Sequence, residues 1–346
     1  MNTAELRVDL GRLRRNVRAV RARMAPAEVL VVIKDDAYAQ GVEPIVDAAL
    51  DAGAVWFGGI DLASSLRAKA EAGDRARVLA WMTVSEEEAE AGIRGGLELG
   101  VGDISYLERI ARAARSAGVV APVHLKIDTG LHRNGVRPEA WAEFCAAARG
   151  WERESRIRVT GIWSHIAEAS DDEDDVSRAV FDDAVDAARA AGLDPDVRHL
   201  AASAASWHRP EFRYDLVRVG AFCFGVRSED GPDLPGIAPV SSLVARVTGV
   251  VDAGVRIGIG AVDGLPSTLG GRVSVSTPAG PRELLRVDPF EAFVAAWPGA
   301  ALDDEVVIFG SGASGEPTPT DLGEAIGTVG EEPLLRISPL VPRAYL

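Results

Sequence analysis

The stretch Val29-Leu30-Val31-Val32-Ile33-Lys34-Asp35-Asp36-Ala37-Tyr38-Ala39-Gln40-Gly41 carries an apolar run straight into a lysine. A short run rich in β-branched residues and closed by Asp and Gly reads as a buried strand of a parallel sheet, with Lys34 at its C-terminal tip. Of 37 basic residues, only Lys34, Lys69 and Lys126 are lysines. Arginine serves for surface charge and ion pairs but does not give up its proton, whereas a lysine amine becomes nucleophilic when buried or set beside another cation. Lys34 is therefore a candidate for covalent chemistry, the alternative being a side chain that snorkels to solvent.

Outward from that strand the pattern repeats. Residues 4–9 alternate as a short strand, and residues 10–24 place Leu10, Leu13, Val17 and Val20 on one helical face. Further strands are expected at 55–60, 77–82, 97–101, 123–127, 159–164, 197–200 and 216–219, separated by helical stretches such as 61–72, 85–94, 106–117, 138–149 and 176–191. With the first strand this makes eight strand–helix units over about 220 residues, the pattern of an α/β protein built on a (β/α)8 barrel of TIM type. An open doubly wound sheet is the rival, but Gly58-Gly59 ends a strand without a GxGxxG spacing. Residues 231–239 shift to Gly and Pro. Beyond them 240–251, 272–275, 286–294, 305–309 and 333–337 are short β-like runs. The expected organisation is a strand in residues 1–9 joining a C-terminal domain, a barrel over 10–230, and a smaller all-β domain over 240–346.

The net charge of −15 argues against nucleic acid or an anionic membrane surface as partner. Small-molecule chemistry is the better expectation. The first nine residues lack a basic segment followed by an apolar core, and no run approaches the roughly 18 apolar residues of a membrane span, so a cytoplasmic location is expected. Cys145 and Cys223 stand in unrelated contexts without CxxC spacing, which suggests neither a disulfide framework nor a zinc site. The run Asp171-Asp172-Glu173-Asp174-Asp175 could ligate a metal, but acidic residues leading into a helix more commonly complement its dipole.

In a barrel of this kind chemistry sits at the C-terminal ends of the strands. The polar residues expected there are Lys34 and Tyr38, then Lys126, Asp128 and Arg133, His165, His199 and Ser203, and Arg218 with Gly220. Here the chain resembles the alanine racemase family, pyridoxal-phosphate enzymes of fold type III. The resemblance runs along most of the sequence. It rests on Ile33-Lys34-Asp35-Asp36-Ala37-Tyr38 with Gly41, on His124-Leu125-Lys126-Ile127-Asp128-Thr129-Gly130 with Arg133 and Gly135, and on Gly161-Ile162-Trp163-Ser164-His165. It continues through His199-Leu200-Ala201-Ala202-Ser203-Ala204, Val217-Arg218-Val219-Gly220, Leu335-Arg336-Ile337-Ser338 and Val341-Pro342-Arg343.

The resemblance implies an amino-acid racemase, an isomerase that interconverts L- and D-alanine or a related amino acid. It implies that Lys34 holds pyridoxal 5'-phosphate as a Schiff base and moves a proton at Cα. Tyr38, Ser203 and backbone N–H groups near Gly220 and Ala221 would hold the phosphate, Ser203 serving equally as a helix N-cap. Arg218 would face the pyridine nitrogen and, having no proton to yield, leave it largely unprotonated. Arg133 would lie near the cofactor hydroxyl and the substrate carboxylate. Lys126 would be carbamylated to support Arg133, or else form an ordinary ion pair with Asp128 or a nearby carboxylate. His165 and His199 would support the cofactor. A homodimer with a shared active site is also implied.

Several positions depart from the family pattern. In racemases the second base is a tyrosine in a loop ahead of an Ile-Gly-Tyr-Ala-Asp-Gly-like segment; here Asp252-Ala253-Gly254 leads almost directly into Ile257-Gly258-Ile259-Gly260-Ala261-Val262-Asp263-Gly264. None of Tyr38, Tyr106, Tyr214 and Tyr345 occupies the expected place. A Cys-Met-Asp motif appears as Asp288-Pro289-Phe290, a Ser-Tyr-Arg motif as Ser338-Pro339-Leu340, and Gly-His-Gly as Ala39-Gln40-Gly41. Racemisation needs an acid or base on each face of the carbanion. Asp263, Asp288 and Glu291, reaching over from a second copy of the chain, are the substitutes that can be named for the second face. A one-base pyridoxal-phosphate lyase or decarboxylase, and a non-catalytic cofactor-binding homologue, are the alternatives.

Overall fold

The computed structural model describes residues 3–227, 231–252 and 254–346, so the expected barrel boundary at 230 and Ala253 in the shortened turn lie outside the described residues. Its chain divides into two compact units, a barrel unit of residues 20–34 and 49–220 and a β unit of residues 1–19, 35–48 and 221–346.

The barrel unit holds eight parallel strands. They are β2 (Glu28–Val32), β3 (Trp56–Gly59), β4 (Arg77–Ala80), β5 (Glu98–Val101), β6 (Ala121–Lys126), β7 (Ile157–Trp163), β8 (Val197–His199) and β9 (Leu216–Val219), with β1 (Ala4–Val8) preceding them in the chain. They pair in the order β8-β7-β6-β5-β4-β3-β2-β9. The ends close on each other where Asp215 N–H reaches the Arg198 carbonyl at 3.2 Å and Arg218 N–H reaches that of Ala201 at 3.3 Å. The strands are short and largely buried, which suits a sheet covered on both faces. Helices between them begin at side-chain caps, Asp61 accepting from Ser64, Asp103 from Tyr106 and Ser170 from Glu173, with a capping box of Ser85 and Glu88. The acidic run 171–175 occupies the start of helix Asp171–Ala190, and no cluster of three or more metal-ligating side chains exists among the described residues.

Strand parity divides the barrel interior. Leu30, Val32, Trp56, Leu79 and Leu216 form a buried apolar cluster, with Trp81 and Val197 packed against it. On β5, β6, β8 and β9 positions of the same alternation carry Glu98, His124, Lys126, His199 and Arg218 instead. One half of the interior is thus apolar and the other polar.

The β unit contains an eight-stranded sheet in the order β11-β14-β13-β12-β15-β10-β1-β16. Its remaining strands are β10 (Ser241–Val251), β11 (Gly254–Ile257), β12 (Ser274–Thr277), β13 (Gly280–Val287), β14 (Ala292–Val294), β15 (Glu305–Phe309) and β16 (Arg343–Tyr345). β1 pairs antiparallel with β10 and parallel with β16. Val251 pairs with Gly254, so β10 and β11 are joined by a tight turn with no room for an extended loop. Two expectations fail here. Residues 286–294 are two strands rather than one, because Asp288 N–H closes on the Glu291 carbonyl at 2.8 Å and Pro289 between them has no ladder donor. Residues 333–337 are not a strand. Pro333 sits in the first turn of helix Glu331–Leu335, where its missing N–H costs nothing, and helix Pro319–Ile326 precedes it.

After Lys34 the backbone does something composition does not announce. Asp35, Asp36, Ala37, Tyr38 and Ala39 all have φ between 52° and 62°, a left-handed turn of five non-glycine residues. Each such residue costs roughly 1–2 kcal/mol. Asp and the following Gly41, at φ 91°, are the residue types that tolerate it. A Cβ at Gly41 would lie 2.4 Å from the Tyr345 hydroxyl, so only glycine fits. Ala39→Gly removes one steric penalty and adds unfolded-chain entropy of about half that size. A net stabilisation of roughly 0.5–1 kcal/mol is expected in urea denaturation.

Candidate active site

The barrel unit brings most of the expected site residues together around His165. Burial is the largest influence on that ring; the charges acting on it after burial are, in order, Arg218, Arg133, Lys126 and Lys34. Together they pull its pKa from 6.5 down to about 3, and the ring is neutral at physiological pH. Lys34 follows β2, where the Ile33 N–H bonds the Gly58 carbonyl at 2.9 Å and so ends the strand beside β3.

Arg218 is buried at an inward position of β9. One terminal nitrogen donates to His199 Nδ1 at 3.1 Å and to the His199 carbonyl at 3.2 Å. The other donates to the carbonyls of Ser164 at 2.8 Å and Leu200 at 2.9 Å, and to His165 Nδ1 at 3.1 Å. Burial, partly offset by Glu168 and reinforced by Arg133, lowers its pKa to about 9, which leaves the guanidinium charged. Since arginine can only donate, both histidines accept at Nδ1 and carry their proton on Nε2. His165 is therefore a hydrogen-bond donor, which suits a supporting role and not that of a base.

Lys126 Nζ lies 4.5 Å over the ring of Trp163, and Arg218 lies 5.1 Å from the same ring, which also stacks on His199 at 5.5 Å and 7°. Burial first, then Arg218 and Arg133, bring the Lys126 pKa down to about 8. Asp128 does not claim this amine in an ion pair. It accepts from the backbone N–H groups of Gly130 and His132 at 3.1 and 3.0 Å and holds the His132 ring at 3.0 Å. A small cavity of about 40 Å³ beside Lys126 is lined by Trp81, Thr83, Tyr106, Asn134 and Trp163 among others.

Ser203 is the first residue of helix Ser203–His208; the N-cap is Ala202, which offers no side chain, so Ser203 is not the cap. The helix start is met instead by Glu168, which accepts from Ala205 N–H at 2.8 Å. Gly220 follows β9 directly. Tyr38 and Ala221 belong to the β unit, where the Ala221 backbone hydrogen-bonds the Tyr38 hydroxyl and burial raises that phenol's pKa well above its usual value. The Tyr38 ring packs 4.7 Å from Phe224. The three carboxylates considered for a second base have local partners: Asp263 accepts from Gly260 N–H at 2.9 Å, Asp288 pairs with Arg286 at 3.2 Å and Glu291 with Arg256 at 3.4 Å.

The polar interior extends further than the expected residues. His199 Nε2 lies 2.8 Å from His124 Nδ1, and His124 Nε2 lies 2.9 Å from Glu98 Oε2. Thr160 donates to the same oxygen at 2.7 Å, and Arg77 grips the carboxylate with Nε and a terminal nitrogen. Burial alone would raise the Glu98 pKa, but His124 and Arg77 hold it well below the usual carboxylate range. His124 and Glu98 were not singled out from sequence. The available signal was a charged residue inside the otherwise apolar run Leu97-Glu98-Leu99.

Set against known proteins, a family model described as the N-terminal domain of alanine racemase matches residues 8–228. The chain belongs to the alanine racemase family. An alanine racemase of Thermobifida fusca is 34% identical over 370 residues, covering 99% of this chain and 98% of its own. One of Beutenbergia cavernae is 36% identical over 376 residues, covering 98% and 97%. The crystal structure of alanine racemase from a D-cycloserine-producing Streptomyces lavendulae superposes with a TM-score of 0.93 at 32% identity, over 100% of this chain and 97% of that one. Membership accounts for the barrel, the following antiparallel sheet and the isomerase class. No helix among the described residues is long and apolar enough to cross a membrane.

His199 makes this interior acid-sensitive. Burial, then His124 and Arg218, depress its folded-state pKa well below 6.5, so below pH 6.5 the unfolded chain binds a proton that the folded chain refuses. The stability it contributes is present above pH 6.5 and is lost as the pH falls. Stability should therefore fall between pH 7.5 and pH 5, and His199→Phe should flatten that part of a urea-denaturation pH series.

Proposed function

We propose that this chain racemises a small amino acid, alanine being the first substrate to test, with pyridoxal 5'-phosphate held on Lys34. The observation that supports this reading is the convergence of Lys34, Lys126, Arg133 and Arg218 on His165, the four charges that act on that ring most strongly. The cofactor brings a phosphate and a phenolic oxygen, and the substrate brings a carboxylate. A cationic, partly buried set of donors fits those anions. When bound, the cofactor supplies the electron sink that lets the Cα–H bond break heterolytically.

The protein's share is positional. Lys34 Nζ would hold the cofactor and would move a proton at Cα on one face. Arg218, its terminal nitrogens already committed to protein acceptors, would serve the pyridine nitrogen and, having no proton to yield, would leave it unprotonated. Arg133 orients the substrate carboxylate. His165 donates from Nε2, and His199 holds Arg218 in place. Ser203 and the backbone N–H of Gly220 would bind the phosphate, and the same role is proposed for Tyr38 and the backbone N–H of Ala221. The other face of Cα also needs a proton donor, which a homodimer with a shared site would supply. Purified protein loaded with cofactor should turn over L-alanine to D-alanine in a D-amino-acid-oxidase assay. Lys34→Ala should lose both the turnover and the cofactor mass retained after borohydride reduction. Retained cofactor with no inversion of any amino acid in a panel would overturn the reading.

Lys126 is proposed to carry a carbamate. An amine with a pKa of about 8 is partly neutral at physiological pH, and its lone pair can attack carbon dioxide, forming an N–C bond and releasing one proton to solvent. The product replaces a cation repelled by Arg133 and Arg218 with an anion they attract. Protein equilibrated with ¹³C-bicarbonate should show a carbamate resonance that Lys126→Ala lacks.

A further inference from the structure

We propose that Glu98 is a positioning residue for Arg218, acting across the barrel interior through His124 and His199. The inference rests on the racemase reading for its kinetic consequence, but the hydrogen-bond order it describes belongs to the protein alone.

The direction of the chain follows from its two ends. Arg218 can only donate, so His199 must accept at Nδ1 and donate from Nε2. His124 must then accept at Nδ1, 2.8 Å away, and donate from Nε2. The last acceptor, Glu98 Oε2, is 2.9 Å from that nitrogen, and an ionised carboxylate can only accept. A donor-only group at one end and an acceptor-only group at the other leave one tautomer for each ring. Arg77 keeps the carboxylate ionised, and it also stands 3.3 Å from Asp196. Space for the arrangement is provided by Gly161, where a Cβ would lie 2.2 Å from His124 Nδ1.

The consequence falls on Arg218. Its guanidinium has no carboxylate among its hydrogen-bond partners; beside the Trp163 ring and His165, it bonds the His199 Nδ1, whose lone pair is free only in this tautomer. With an amide in place of Glu98, the –NH2 can face His124 and reverse both rings. His199 would then present Nδ1–H to Arg218, two donors would meet, and the guanidinium would turn.

The full chain has five histidines, few enough to assign in ¹⁵N-histidine-labelled protein. In the wild type His124 and His199 should both be neutral with the proton on Nε2, and in Glu98→Gln at least His199 should lose that state. A proton on Nδ1 of either ring in the wild type overturns the proposal, whether or not the variant folds. So does an unchanged pattern in Glu98→Gln. In the cofactor-loaded enzyme Glu98→Gln should lower kcat about tenfold with KM within twofold, and Glu98→Asp should recover most of it. Altered tautomers with unchanged kcat would overturn the link to Arg218 while leaving the racemase reading intact. Absence of racemisation in the wild type would overturn that reading and leave the tautomer result to stand.

Discussion

A guanidinium buried inside a barrel without a carboxylate in contact is an expensive object, since removing a charge from water costs several kcal/mol even after relaxation. Arg218 survives there because three backbone carbonyls and two imidazole nitrogens accept from it. Those acceptors come from the ends of β7 and β8 and the residues just beyond, so the C-terminal mouth of the barrel is built around one side chain. The demand also propagates. His199 and His165 must stay neutral to accept, and burial together with the surrounding cations keeps them so.

The same arrangement explains why the barrel interior is divided. Val197 and Leu216 belong to the apolar half, while His199 and Arg218, two positions further along the same strands, belong to the polar half. Moving by one residue in either strand would exchange inward and outward faces. The parallel register fixes which side chains share a layer: Gly100 beside His124, His124 beside Gly161, Lys126 beside Trp163, Trp163 beside His199. Trp163 consequently lies between two cations, and its indole donates at 3.3 Å to the His124 carbonyl, which ties the cationic mouth to the layer below.

The left-handed turn after Lys34 is the other costly feature. Five residues hold a conformation that L-amino acids avoid, and strain of this kind persists only where the surroundings over-determine it. Within the β unit, Tyr345 donates to the Gln40 carbonyl at 3.0 Å and Arg343 to that of Ala39 at 3.0 Å, so β16 pins the end of the turn. The penultimate tyrosine, without an evident role in the linear chain, is thereby a structural residue.

Read as a string, the chain already determines a great deal. Eight apolar runs alternating with amphipathic stretches point to a parallel sheet, because parallel strands need long crossovers, usually helices, and the missing GxGxxG spacing favours the barrel over an open sheet. The scarcity of lysine points to Lys34, since an amine and not a guanidinium can be made nucleophilic. That Arg218 and His165 stand at or just beyond strand ends was legible in the sequence. Helix boundaries in the barrel followed from caps such as Ser85 and Asp103. What tertiary structure alone decided are matters of direction and partnership. Glu98 and His124 lie 26 residues apart and meet only because β5 and β6 are neighbours with matched inward faces. Asp128, two residues from Lys126, is instead taken by the turn that contains His132. Sequence spacing shows which residues share a strand; it does not show which lone pair faces which proton, because that depends on register across strands, and there a donor-only arginine and an acceptor-only carboxylate leave the histidines between them a single arrangement.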